Sequence, residues 1–374
     1  MLTQVSLPYD VLSKTQIEEY LKSPNHIMHL EAGKRAGEAL PNPYTHAKEN
    51  LERMLSENFF TQLGEACYVV TQERFMLGGV QKTINRIWGL VPNQDYIDGQ
   101  VMRHENTREN DLKDRVDLLN ELEGFKTKPT WLAVRDKRGS LEKFMENAIE
   151  VAGEYLGETN GRELTVAYIT TQVDIDMLKK ILQNEKSLIL DGHHGFAASK
   201  EYGQDKDGGH KFMLCAISSE HNPGYAILPT YRILGKKFRK LTKEFEMTDI
   251  QIMDKNNIQS ELADLPYHFA VIQDDKIKVF KLKDKYKPDG NPLEQLDVYQ
   301  LHSRLLEPSG FKNGELDYDA DLSQAIEKGK YVIYVRPPTQ KQVWALTESG
   351  KTTPPKSTLY VPKLLSGLFN YNPN

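Results

Sequence analysis

Ser187-Leu188-Ile189-Leu190-Asp191-Gly192-His193-His194-Gly195-Phe196-Ala197-Ala198-Ser199 passes from an apolar run, through an acid, a glycine and two imidazoles, into an alanine-rich pattern. The run predicts a buried strand and the following segment a helix, so the junction belongs to an α/β architecture. A helix N-terminus presents unpaired amides and a partial positive charge, which favour a phosphate or carboxylate, and Asp191 is placed to hold a divalent cation beside it. The same residues also have a purely structural reading. Asp-Gly is a common turn, Asp191 can cap the helix, and His193 and His194 can be a solvated pair. Taken alone, the spacing favours that reading. Zinc is set aside, because adjacent side chains diverge and no C-x-x-C or H-E-x-x-H spacing accompanies them.

Outward from this junction the chain alternates helices and strands. On the N-terminal side, Ile17 to Leu21 and Tyr44 to Asn58 read as helices. Ala66 to Thr71 and Thr83 to Val91 read as strands joined across a turn at Glu73 to Gly79. A helix with Leu112, Val116, Leu119 and Leu122 on one face stops at Gly124, followed by a strand at Trp131 to Val134 and a helix at Leu141 to Leu156. Val166 to Ile169 is the next strand and Ile175 to Leu182 the next helix. On the C-terminal side, a polar loop at Gly203 to Gly209 precedes strands at Phe212 to Ile217 and Leu228 to Ile233. Phe269 to Gln273 and Ile277 to Leu282 then form a hairpin turning at Asp274-Asp275. Helices at Leu296 to Leu306 and Leu322 to Gly329, and strands at Tyr331 to Val335 and Val343 to Leu346, complete the pattern.

The 374 residues, 39% hydrophobic and 27% charged, describe an ordinary globular chain of one elaborated or two closely packed domains. The mean hydropathy of -0.58 argues against an apolar membrane protein. No basic and apolar leader is readable at Met1 to Pro8, so the expected location is the cytoplasm. Cys67 and Cys215 lie in apolar surroundings and are expected as buried strand thiols without a catalytic role. The net charge of -5 argues against a nucleic-acid partner. The densest basic run, with Lys236, Lys237, Arg239 and Lys240, is expected to be a solvated helix face.

A second constellation lies at His104-Glu105-Asn106-Thr107, after a probable strand from Gln100 to Arg103. The helix that follows carries Arg108 and Arg115, nearly two turns apart and therefore on one side of its start. A carboxylate beside two arginines suits phosphoryl transfer. An ordinary ion-pair network built on Asp111, Asp114 and Asp117 explains the same spacing, and spacing alone favours it.

Five motifs then align in one order: Pro8-Tyr9-Asp10-Val11-Leu12-Ser13; His104-Glu105-Asn106-Thr107 with Asp114-Arg115; Asp191-Gly192-His193-His194; Pro229-Thr230-Tyr231-Arg232; and Pro355-Lys356-Ser357-Thr358 with Pro362-Lys363. In these the chain resembles, over essentially its whole length, the family catalogued as domain of unknown function 1015. That family's Asp-Gly-His-His-Arg signature is similar to one in ParB and sulfiredoxin type folds, a group that includes kinases acting on free L-serine. The resemblance implies Glu105 as general base or metal-organising acid, and Asp191 as the group positioning magnesium or the substrate hydroxyl. It implies the amides of Gly192, His193 and His194 as the donor-phosphate cradle, with the imidazoles as further donors, His194 among the catalytic groups, and Arg115 as a charge-neutralising group. His104, Thr107 and Arg232 complete the cofactor-binding set. Three positions depart from the family pattern: Gly195 stands where it has arginine, Tyr231 where it has histidine, and Pro354 where it has methionine. The missing guanidinium at 195 requires Arg232, Lys200 or Lys356 as a substitute phosphate clamp.

The expected fold is therefore α/β (mixed α+β), a ParB/sulfiredoxin-like core elaborated by additional helices and a C-terminal α+β region. The core is expected over 1–282 and the C-terminal extension over 283–374, packed on it. The expected activity is transfer of phosphate to free serine or a similar small hydroxyl metabolite, using Mg2+ with a nucleotide or pyrophosphate donor. The substrate is a small molecule, with neither membrane nor nucleic acid as partner. Metal-dependent phosphoester hydrolysis and a catalytically silent nucleotide-binding role are the alternatives.

Overall fold

The computed structural model describes residues 2–64, 68–235, 243–250, 269–273, 276–288, 290–311, 316–329 and 331–374, with the backbone alone at 38 and 248–250. The chain is mixed α/β and divides into two compact units. One comprises residues 1–103, 107–225 and 362–374, and the other residues 104–106 and 226–361. The boundary expected after Leu282 falls inside the second unit. The strand ending at Leu282 is hydrogen-bonded into the same sheet as Tyr331–Val335, so cutting there would break one ladder.

The first unit is built on an eight-stranded mixed sheet of β1 (Tyr68–Leu77), β2 (Val80–Pro92), β3 (Val101–Met102), β4 (Thr130–Val134), β5 (Glu154–Thr159), β6 (Arg162–Ile169), β7 (Ser187–Asp191) and β8 (Phe212–Ser219). Its spatial order is β3-β7-β4-β8-β2-β1-β6-β5. Leu188, Ile189 and Leu190 are buried, as the unbroken apolar run requires of an interior strand. Helices α6 (Ser140–Ala152) and α7 (Gln172–Leu182) cover the sheet. Leu141, Phe144 and Met145 of the first and Ile175 and Leu178 of the second pack on Val70, Leu132, Ile189 and Cys215. Each buried aliphatic side chain of this kind contributes about 2 kcal/mol.

Several elements differ from the sequence reading. β1 and β2 extend through Glu73 to a tight turn at Gly78-Gly79, whose positive φ values of 59° and 77° suit a two-residue hairpin. The helix expected through Leu156 ends at Ala152, and an edge hairpin of β5 and β6 follows, turning at Asn160-Gly161 with φ 49° and 69°. Asn-Gly is the strongest short hairpin signal, and it was hidden by an apolar pattern that runs past the helix end. Of the predicted face of α5 (Glu109–Glu121), Leu122, just beyond the helix end, is buried, while Leu112, Val116 and Leu119 are half-buried and Arg115 and Leu118 are buried in their place, because Leu118 and Leu122 pack on Leu51 and Met54 of α3 (Pro43–Ser56). Cys215 is fully buried in β8 as expected, and Cys67 lies outside the described residues.

The second unit has a six-stranded antiparallel sheet and a two-stranded ribbon. The strand expected over Leu228 to Ile233 is two strands in different sheets: β9 (Ala226–Leu228) pairs with β16 (Leu359–Val361), and β10 (Tyr231–Leu234) enters the large sheet. Pro229, lacking an N–H, separates them. Within β12 (Phe269–Gln273), Phe269 and Val271 face one cluster with Leu301 and Leu305, while Ala270 and Ile272 face another with Ala325, so both sheet faces are covered. The hairpin turn at 274–275 and the basic run at 236–240 lie outside the described residues. Val343 to Leu346 is helical rather than extended, inside Gln340–Glu348, with Thr339 and Gln342 forming a capping box. Leu296 to Leu306 is an α-turn at Asp297–Leu301 continued by a π-turn at His302–Leu306. Among the described residues no helix is long and apolar enough to cross a membrane.

One fold contact is sensitive to pH. His26 is buried, stacks on Tyr20 at 4.2 Å and accepts the Met28 N–H at Nδ1. Burial, then the neighbouring His29, lowers its pKa from 6.5 to about 4. The folded protein therefore prefers the neutral ring, so this contribution to stability is complete above pH 6.5 and is lost as the pH falls through about 4. It amounts to roughly 3 kcal/mol. Urea unfolding at pH 7, 6, 5 and 4 is expected to show a shallower loss of stability in His26→Phe than in wild type. Parallel slopes would remove His26 from the acid response.

Candidate functional site

In the first unit, β7 ends at Asp191 and α8 (His193–Tyr202) begins two residues later. Gly192 makes this abrupt reversal with φ 94°, in the left-handed region. A Cβ there would lie 3.0 Å from Thr130 Oγ1 and 3.1 Å from Thr130 Cα, so both conformation and space call for glycine. β4 runs alongside, with Trp131 opposite Asp191 in the ladder. The strand-turn-helix junction thus forms as expected, and the ten-residue α8 begins at the strand end with no side-chain cap on its first-turn amides.

Asp191 is mostly buried, and its Oδ1 accepts a 2.5 Å bond from the Lys363 ammonium. Nearby, Lys128 donates to Asp10 at 2.7 Å and lies over the Tyr9 ring, whose other neighbour is the Arg115 guanidinium at 4.1 Å. Desolvation works against the Lys128 ammonium. Asp10 first, then Tyr9, Asp191 and Glu31, outweigh it and raise its pKa. Glu31 is fully buried, and that burial raises its carboxyl pKa. Asp10, Asp191 and Lys363, from the Pro8-Tyr9-Asp10, Asp191-Gly192 and Pro362-Lys363 motifs, are thus electrostatically joined with Lys128.

The other predicted residues of this unit are placed as follows. His194 Nε2 accepts the Arg108 N–H at 3.0 Å. That bond needs a lone pair on Nε2, so the 3.7 Å approach of Asp111 Oδ2 to the same nitrogen is not an ion pair in this state. His193 is half-buried in the first turn of α8, and Thr107 is half-buried beside Arg108. Arg108 and Arg115 do not share a face. Arg108 is exposed and pairs with Asp111, whereas Arg115 is buried and engages Asp114, the Glu31 carbonyl and the Tyr9 ring. Its Nε and both terminal nitrogens donate to Asp114 and the Glu31 carbonyl. Gly195 faces ordinary space: a Cβ would meet Met213 Cε at 3.7 Å and Thr130 Oγ1 at 3.9 Å.

The second unit carries the His104-Glu105 constellation. His104 is fully buried; its Nε2 is 2.7 Å from Thr358 Oγ1, and its carbonyl accepts from Thr353. Glu105 is half-buried and accepts the Lys356 N–H at 3.4 Å. Lys356 has φ 55°, uncommon for a residue with a side chain, and its carbonyl accepts from Arg232 at 3.1 Å. Arg232 also donates to the Thr230 carbonyl at 2.6 Å and lies over the Tyr318 ring. Burial lowers its pKa to about 10. Arg232 therefore holds the Pro355-Lys356-Ser357-Thr358 loop, a role that the sequence reading as a cofactor-binding arginine did not anticipate.

Asp10, Lys128 and Lys363 were not singled out from the sequence. Asp10 and Lys363 lie in aligned motifs but have no spacing relation to Asp191. Lys128 precedes a buried strand, where a charged residue is itself a signal. Replacing Gly192 by alanine is expected to cost about 1 to 3 kcal/mol through the left-handed backbone and the Thr130 contact. Denaturant unfolding of Gly192→Ala measures this, and a change within about 0.5 kcal/mol would show that the turn relaxes freely.

The model of the family described as protein of unknown function (DUF1015) matches residues 2–299. An ATP-dependent L-serine kinase from Staphylothermus marinus is 25% identical over 194 residues, covering 50% of this chain and 71% of that protein. Among solved structures, a free serine kinase in complex with AMP shows 17% identity and a TM-score of 0.38, covering 73% of this chain and 87% of the other. SbnI with C-terminal truncation, from Staphylococcus aureus, shows 12% identity and a TM-score of 0.40, covering 75% and 85%.

Proposed function

We propose a phosphotransferase function, from the premise that this chain belongs to the DUF1015 family: it phosphorylates free serine, or a similar small hydroxyl metabolite, from a nucleotide donor. The observation that carries this reading is the Asp191 junction, where a carboxylate ion-paired to Lys363 ends a buried strand and a glycine turn opens a helix N-terminus. Helix amides of this kind bind phosphate, and a carboxylate beside them suits a substrate hydroxyl or a metal. The name of the Staphylothermus marinus relative supports serine as acceptor and ATP as donor.

In this reading the serine Oγ forms a bond to the terminal phosphorus of ATP. The phosphoanhydride bond to the leaving ADP breaks, and the hydroxyl proton passes to a carboxylate base, the role that the family resemblance implies for Glu105. Asp191 orients the hydroxyl, the Gly192, His193 and His194 amides receive the donor phosphate, and His194 contributes its imidazole. His104 positions Glu105 through the Thr353 and Thr358 contacts, and Thr107 contributes to donor binding. Arg115 and Arg232 act by holding the Tyr9 and Lys356 segments. Magnesium fits Asp191 as a single carboxylate ligand. Oδ2 takes no protein hydrogen bond among the described residues, and this metal is commonly held by one or two carboxylates with phosphate and water. Among the described residues no group of three or more His, Cys, Asp or Glu could hold a metal. A magnesium ion bound there would neutralise charge on the donor phosphates.

Phosphoserine formation from serine and ATP, followed by phosphorus NMR, tests the reading. Glu105→Gln and Asp191→Asn are each expected to lower turnover by about 10² to 10⁴ with the fold retained. Full activity in either variant removes that residue from the mechanism. Release of phosphate from phosphoserine without an acceptor would favour a hydrolase, and nucleotide binding without turnover a silent binding protein. Because a Cβ at 195 would make only ordinary contacts, Gly195→Arg is expected to fold and to tighten nucleotide binding about tenfold by one charge-assisted contact, measured calorimetrically. Unchanged affinity would show that position 195 does not face the donor.

A further inference from the structure

Glu73, Arg86 and Arg162 form a charged group in the interior of the first unit that the proposed reaction does not use. Glu73 is 1% exposed, Arg86 0% and Arg162 7%. Glu73 Oε1 accepts from Arg86, and Oε2 accepts from Arg162 at 3.0 Å. Arg86 also lies over the Trp131 ring at 4.3 Å, on the strand beside Asp191. One carboxylate faces two guanidiniums, so this buried group carries surplus positive charge and needs further acceptors. It finds two consecutive main-chain carbonyls: Arg86 donates to Pro362 O at 3.1 Å, and Arg162 donates to Lys363 O at 2.5 Å.

Those two carbonyls determine where the Lys363 side chain goes. The bond at Pro362 O orients the peptide plane entering Lys363, and the bond at Lys363 O orients the plane leaving it. The proline ring further restricts the backbone at 362. With both planes fixed, the Cα–Cβ direction of Lys363 is fixed, and its ammonium reaches Asp191 Oδ1 at 2.5 Å. We propose that Arg86 and Arg162, held on Glu73, are positioning residues that set the Lys363 backbone and so seat its ammonium on Asp191, making Lys363 the cation of the donor-phosphate subsite in place of the guanidinium absent at Gly195. The consequence for turnover rests on the phosphotransferase reading; the placement of Lys363 does not.

The test uses the full chain and two readouts. Reductive methylation followed by mass spectrometry reports the accessibility of Lys363, whose side chain is 13% exposed, against exposed Lys113 and buried Lys126 as internal references. In Arg162→Gln the Lys363 rate is expected to rise about tenfold, the scale of one lost charge-assisted hydrogen bond, with Lys126 and Lys113 unchanged. Arg162→Lys, which keeps a donor for the carbonyl, is expected to restore protection. Glu73→Gln tests the same chain of contacts without removing a guanidinium, should Arg162→Gln fail to fold. In the serine assay, Arg162→Gln is expected to lower kcat with KM for serine unchanged, and Arg162→Lys to recover part of it. An unchanged Lys363 rate in a folded variant, or an equal rise at Lys126, overturns the proposal, the second because it would mean general loosening. If the labelling result holds while wild type forms no phosphoserine, the kinase reading falls and the placement of Lys363 stands.

Discussion

A carboxylate at the end of a strand buried among other strands has to find a cation or lose its charge, and Asp191 finds the ammonium of Lys363, 172 positions further along the chain. That contact brings the C-terminal Pro-Lys motif to the strand-turn-helix junction. A pair of this kind contributes little net stability once its desolvation is counted, but it specifies geometry strongly, since breaking one partner strands the other. The arrangement around it follows the same logic: Lys128 joins Asp10 and Asp191 electrostatically, and the Glu73 group commits its surplus charge to the carbonyls of residues 362 and 363.

These interior charges differ in kind from the many exposed pairs on the surface. Lys22 with Glu19, or Lys113 with Asp117, are helix-face pairs in water, each of marginal energetic value. Arg115, Arg86 and Arg232 are instead withdrawn from solvent, and each is spent on main-chain carbonyls and an aromatic face as well as, for two of them, a carboxylate. An arginine so engaged organises backbone. Arg115, Arg86 and Arg232 hold the segments carrying Tyr9, Lys363 and Lys356.

The second unit repeats the theme with different chemistry. Lys356 adopts a left-handed backbone, and its peptide groups are bonded on both sides, the N–H by Glu105 and the carbonyl by Arg232. A strained residue persists where its surroundings over-determine it, and such places concentrate at functional loops. His104, buried and bonded to Thr353 and Thr358, fastens the acid-bearing segment to the same loop.

Much of this was legible in the residues themselves. The apolar run at 188–190, the turn at Gly192 and the helix after it are local features, determined by burial of unbroken hydrophobic sequence and by a left-handed position that glycine fills. The capping box at Thr339 and Gln342 and the Asn160-Gly161 hairpin were equally local and available to be read. Three things were not: Glu73, taken for part of a turn, points inward from a strand; Arg108 and Arg115 part company despite their helical spacing; and Lys363 meets Asp191. Each depends on which surface another segment covers, and a charged side chain carries no mark of the partner it will meet. Local sequence determined the strand, the turn and the helix, because backbone preference and hydrophobic periodicity act over a few residues. Only the tertiary structure decided which cations serve which carboxylates, because that choice is made by desolvation when distant segments pack.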